Sequence, residues 1–141
     1  MTELRNKMRV LVVDDERLIA DSLAMILNCS GFDTTAVYSG EEAVETANLM
    51  KPHVVISDIA MGKMTGIEAA TRIRQAVPGC RIILFSGQAA TMDLASHSLA
   101  DRHHFEILVK PVHPRVFIQR LSSYADTVHR YSGVLTPEIA C

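Results

Sequence analysis

Long apolar runs are missing from this 141-residue chain, and so is any excess of positive charge. No stretch approaches the roughly 20 consecutive apolar residues that a membrane-spanning helix requires, so no membrane partner is expected. Met1 to Lys7 is polar and too short to hold the apolar region of a secretory signal, which points to a cytoplasmic protein. Lys and Arg total 14 against 16 Asp and Glu, a net charge of −2, and no basic cluster stands out. That balance argues against a broad phosphate-neutralising face, and no direct nucleic-acid partner is expected. Cys29, Cys80 and Cys141 are odd in number and follow neither zinc nor disulfide spacing. The expectation is reduced thiols, with Cys29 and Cys80 packed as small hydrophobes. Internal repeats and low-complexity segments are absent too.

What is present is the composition of a globular chain, 48% hydrophobic and 21% charged, long enough for one domain with a substantial core. Five apolar, strand-like runs alternate with five amphipathic stretches, the pattern of a parallel sheet flanked by helices. The runs are Arg9 to Val13, Asp33 to Tyr38, His53 to Ser57, Arg81 to Phe85 and Phe105 to Val109. The second is the most polar, which suits a sheet edge. Ile19, Leu23, Ile26 and Leu27 mark one face of the first helix, with Gly31 as its left-handed cap. Ser39 to Glu42 and Thr65 to Glu68 have the form of capping boxes. They open helices whose apolar faces are Ala43, Val44, Ala47 and Met50, then Ile67, Ala70, Ile73 and Val77. The stretch Ala89 to Ala100 has a diluted apolar face and is expected to be the most easily shifted helix. His113-Pro114 starts the last one, lined by Phe117, Leu121, Tyr124 and Val128. The methionines, Met25, Met50, Met61 and Met92 among them, read as core and gap filling. His103, His104 and His113 fit no common zinc pattern and read as solvated.

For five such units the common arrangement is a flavodoxin-like, doubly wound α/β fold. Its five parallel strands run in the order 2-1-3-4-5, with ligands at the carboxyl ends of strands 1 and 3. That edge collects Asp14, Asp15, Asp58, Ser86 and Lys110. Carboxylates crowded there repel one another, and a hard divalent cation is the natural remedy. The cluster therefore points to Mg2+, with Asp15 and Asp58 as direct ligands and Asp14 acting through water. Ser86 offers a hydroxyl and Lys110 a point charge, both suited to phosphoryl oxygens. A carboxylate can itself accept a phosphoryl group, and Asp58 is the central one.

Asp14-Asp15 after strand 1, Asp58 followed by Met61 and Gly66, Ser86, and Lys110-Pro111 resemble the receiver domain of two-component response regulators. The likeness covers residues 8 to 130, leaving a short lead over 1–7 and a tail over 131–141. It implies phosphoryl transfer to Asp58 from a phosphohistidine of a sensor histidine kinase or a phosphotransfer protein, with Mg2+ required. It also implies a third protein ligand to the metal from the backbone carbonyl of Ala60, and a cis Lys110-Pro111 bond. Phosphorylation would then alter the surface of the 89–100 stretch, strand 5 and the last helix. That surface would engage a downstream protein target or a second copy as a homodimer. Ala60 and Gln88 stand where the family tunes the lifetime of the acyl phosphate, and Ala60 implies slow to moderate self-dephosphorylation.

Three features depart from the family pattern. Met61-Gly62 replaces the usual Met-Pro, giving a more permissive backbone. Ile107 stands at the position of the switch aromatic, with Phe105 on the same strand face. The segment Ala100 to His104 lacks the small residues common there. Two other readings stay open on these residues: a receiver-like module that binds without being phosphorylated, and a small Mg2+-dependent phosphohydrolase.

Overall fold

The computed structural model describes residues 7–87 and 105–127. Strand β1 (Arg9–Val13) is followed by α1 (Arg17–Cys29), β2 (Asp33–Val37), α2 (Gly40–Met50) and β3 (Val54–Asp58). Then come α3 (Gly66–Ala76), β4 (Arg81–Ser86), β5 (Glu106–Val109) and α4 (Pro114–Thr127). All neighbours pair in parallel, and the sheet order is β2-β1-β3-β4-β5, as expected. Four of the five expected helices are seen; the stretch 89–100 lies outside the described residues, as do Gln88, Met92, His103, His104 and Val128.

Alternation along the strands divides the core in two. Leu11, Val13, Val55 and Leu84 face α2 and α3, while Val10, Val12, Val54, Ile56, Ile83 and Phe85 face α1 and α4. Because helices cover both faces, β3 is buried at every position, which is why it reads as an unbroken apolar run. β2 alternates exposed and buried residues, the behaviour of an edge.

Helix ends follow the local signals. Gly31 takes φ +102°, its N–H donates to Asn28 O, and the Phe32 N–H donates to Leu27 O. That is a Schellman closure, with Phe32 and Leu27 both buried in the same cluster. Thr65 and Glu68 form a complete capping box at α3. At α2 only half of the expected box forms: Ser39 Oγ accepts from Glu42 N–H, but the Glu42 carboxylate accepts from Tyr38 N–H. The carbonyls that α2 leaves open at Met50 and Lys51 accept from the Arg9 guanidinium. His113 precedes α4, and its Nδ1 accepts from Arg115 N–H.

Four expectations are corrected. Strand ends shift by a residue, so that Asp58 is the last residue of β3 rather than the first beyond it. Ile19 is not buried on α1, where Ala20, Leu23, Ala24 and Leu27 form the contact. Small alanines let the helix sit close to the sheet, and this turns Ile19 outward. Met25 is exposed rather than core, whereas Met61 is buried. Cys80 is buried and free, but Cys29 is half-buried and disulfide-bonded rather than a reduced thiol.

Replacing Gly31 by alanine tests the α1 closure. A Cβ there meets no neighbour, so the cost comes from the left-handed backbone alone. Urea denaturation should show a loss of about 1–2 kcal/mol with an unchanged m-value.

Candidate functional site

Register brings the site together. Val13 pairs with Ser57, so the residues that follow, Asp14 and Asp58, leave adjacent strands side by side. Asp58 pairs with Phe85, and Ile59 N–H donates to Phe85 O, which places Ser86 beside the end of β3. Lys110 N–H donates to Ser86 O, and its side chain turns back across the sheet edge. The result is that Lys110 Nζ lies 3.3 Å from Asp58 Oδ2. The same ammonium sits 5.1 Å from the centroid of the Phe85 ring. The Lys110-Pro111 bond is cis.

Asp58 is buried, with Oδ1 accepting from Ala60 N–H at 3.2 Å and Oδ2 from Lys110. Burial raises its pKa, and the Lys110 charge opposes that rise. Asp14 is fully buried; its Oδ1 accepts from Glu16 N–H, while Oδ2 has no hydrogen-bond partner. Burial pushes the Asp14 carboxyl up to about 6, reinforced by the neighbouring charges of Asp58 and Asp15. Asp15 is exposed at the rim. One oxygen from each of Asp14, Asp15 and Asp58 lies within 4.8 Å of the others. Three carboxylates at this spacing, one with a buried unpaired oxygen, make a donor set that fits a hard divalent cation.

These alternating βα units carry an acidic trio and a crossing lysine at the sheet's carboxyl edge. Residues 10–122 match the family model described as the response regulator receiver domain. The chain belongs to that family. Among relatives of this receiver, the DNA-binding response regulator MtrA of Mycobacterium tuberculosis is 30% identical over 82% of the chain and 49% of MtrA. The alkaline phosphatase synthesis transcriptional regulatory protein PhoP of Bacillus subtilis is 32% identical over 92% of the chain and 51% of PhoP. The chain thus spans about half the length of these relatives. A CheY-like receiver domain protein from Methanospirillum hungatei superposes with a TM-score of 0.77 at 24% identity, covering 86% of this chain and 95% of that one. The two-component transcriptional regulator AraC of Clostridium phytofermentans gives 0.72 at 28% identity, covering 89% and 97%. Among the described residues, no helix is long and apolar enough to cross a membrane.

Asp14, Asp15, Asp58, Ser86 and Lys110 stand at this edge, with Ala60 exposed in the loop after β3, while Gln88 lies outside the described residues. One contributor, Phe85, carries no signal in the sequence, and Gly66 has a packing role besides the resemblance it supports. Phe85 lies beneath the Lys110 ammonium, a contact that joins two strands and leaves no mark in either alone. Gly66 is needed for space: a Cβ there would lie 2.1 Å from Asp58 O and 2.8 Å from Ile59 Cα. Its N–H donates to Ile59 O, so α3 is pressed against the backbone that aims Asp58. Ile107 and Phe105 share the face toward α2 and α3, as expected, with Phe105 buried and Ile107 half-buried. Arg74 lies over the Phe105 ring at 5.3 Å.

Two outcomes follow from this packing. Gly66→Ala should destabilise the fold by roughly 2–4 kcal/mol in denaturant titration, because backbone must move to admit the methyl group. Asp14 has a folded pKa of about 6 against an ordinary 3.8, so the folded state keeps a proton that the unfolded chain releases. Metal-free stability should therefore fall as pH rises between about 4 and 6 and level off above. Asp14→Asn should raise metal-free stability at pH 7 by on the order of 2 kcal/mol, a gain that vanishes near pH 4.

Proposed function

We propose that this receiver is a phosphorylation-dependent switch in which Asp58 accepts a phosphoryl group from the phosphohistidine of a sensor histidine kinase or a phosphotransfer protein. The supporting observation is the Lys110 ammonium 3.3 Å from the Asp58 carboxylate, with oxygens of Asp14 and Asp15 within 4.8 Å of an Asp58 oxygen. An Asp58 oxygen attacks phosphorus, the bond from phosphorus to the imidazole nitrogen breaks, and the electron pair leaves with the imidazole. Lys110 would meet the charge on the phosphoryl oxygens, and Ser86, at the end of the adjacent strand β4, would donate its hydroxyl to one of them. Asp15, Asp58 and the Ala60 carbonyl would hold Mg2+, with Asp14 acting through water. Mg2+ held there supplies positive charge that offsets the carboxylates and the incoming phosphoryl group.

The chain acts on itself in this reading and does not turn over a soluble substrate. Ala60, two residues past the acceptor, carries no group able to serve as a second acid or base. The unit extends over 8–130, with 1–7 as a lead and 131–141 as a tail, and it operates in the cytoplasm. Output passes through the surface that includes β5 and α4 together with the 89–100 stretch. There Val109 is 45% exposed, which suits contact with a downstream protein or a second copy. The phosphorylation-independent reading draws on one observation, the aliphatic Ile107 half-buried where the family has its switch aromatic.

Acetyl phosphate with Mg2+ should add one phosphoryl group, read as a single mass increment on the intact chain. Asp58→Asn should abolish the adduct, and Lys110→Ala should slow its formation at least about tenfold. Chelation of Mg2+ should do the same as the Asp58 substitution. An intact Asp58 that never takes the adduct would leave the passive module as the better reading.

A further inference from the structure

A groove of about 580 Å³ runs between α1 and the segment that leads from β5 into α4. Ile19, Leu23 and Ile26 line one side, Val112 and Phe117 the other, and Phe85 lies between them. Leu18 beside it is 79% exposed and Ile19 is 38% exposed, so apolar side chains stand in water at its mouth. Lys110 also lines the groove, and it is this lysine whose ammonium contacts Asp58. The groove and the acidic site therefore share a wall.

The pattern along this path is amphiphilic. Lys110, the cation in contact with the acceptor carboxylate, lines the groove, and the rest of its lining is mostly apolar. A ligand that matches it has an anionic head and an apolar body small enough to lie within the groove. We propose that the groove receives the apolar group of a small acyl phosphate, so that Asp58 is phosphorylated more readily by donors with an apolar acyl group than by acetyl phosphate. The inference rests on Asp58 being the acceptor. In the transfer, an Asp58 oxygen forms a bond to phosphorus and the bond from phosphorus to the acyl oxygen breaks. The electron pair departs with the carboxylate leaving group, and no redox partner is needed. Binding of the remote apolar group holds the phosphorus in line with Asp58, and this raises the rate at a given donor concentration.

The test compares second-order rates of phosphorylation of the full chain by benzoyl phosphate and acetyl phosphate with Mg2+, followed by intact mass. Ile19→Gln and Ser22→Phe are measured alongside, with circular dichroism to confirm that each is folded. Ile19→Gln makes the mouth polar, and Ser22→Phe puts a bulky ring into the groove from a lining position that is not one of the acidic-site residues. The wild type should favour benzoyl phosphate by at least about tenfold, through a lower half-saturating concentration. Either folded variant should bring the two donors to within about twofold while its acetyl phosphate rate is kept. Equal rates in the wild type would overturn the proposal. So would a preference that survives in both variants, since it would then belong to the reactivity of the donor. Loss of labelling by a phosphohistidine protein, with the benzoyl preference intact, would assign the groove to a macromolecule and overturn it as well. Failure of both small donors would instead strike at Asp58 as acceptor, and the proposal would fall with it.

Discussion

Two carboxylates end neighbouring buried strands, and one lysine reaches across to them. The rest of the site depends on that arrangement. Asp14 and Asp58 are taken out of water by the same packing that makes β1 and β3 the centre of the sheet. Desolvation disfavours their charged forms, and the two are compensated unequally within the protein. Asp58 has Lys110; Asp14 keeps an oxygen with no partner. A buried carboxylate with one oxygen unpartnered is costly to the free protein and makes the site receptive to positive charge. Stability and ligand affinity are thus set against each other at one residue.

The frame around this pair is built to hold backbone rather than side chains. The β3–α3 turn closes through Gly66, where α3 approaches so near the Asp58 carbonyl that no side chain fits. The Thr65–Glu68 capping box fixes where α3 begins and hence where that approach occurs. On the other flank, Lys110 is anchored by its own N–H to Ser86 and rests near the Phe85 ring, so its amine is directed rather than free to wander. Glu106 in β5 receives the Tyr124 hydroxyl and the Arg120 guanidinium from α4, tying the last helix to the edge strand. Movement at Lys110 therefore has a covalent route into the β5–α4 face.

Most of this was legible along the chain because the two signals it needs are local. Buried parallel strands read as apolar runs, and a parallel sheet puts all carboxyl ends on one edge. Polar residues that close such runs must then meet: Asp14, Asp58, Ser86 and Lys110 did. Gly31 and Thr65 announced themselves through the residues beside them. Ile19 and Met25 misled because apolar periodicity says which residues could face the core. It cannot say how wide a stripe the neighbours will cover. Alanines at 20 and 24 let α1 settle on a narrower contact and left the larger side chains outside.

By itself, the order of residues determined the alternating fold, the sheet order and the identity of the acidic and basic groups at its edge. Those follow from strand burial and right-handed crossover, which act on any chain with this pattern. Tertiary structure alone decided that Asp14 is fully buried with an orphaned oxygen while Asp15 beside it stays in water. It also decided that Gly66 must be glycine, that Lys110 rests near Phe85, and that an apolar groove opens against the acceptor site. Each is a contact between segments far apart in sequence, and its energy is set by distance and exclusion of water, which have no linear signature.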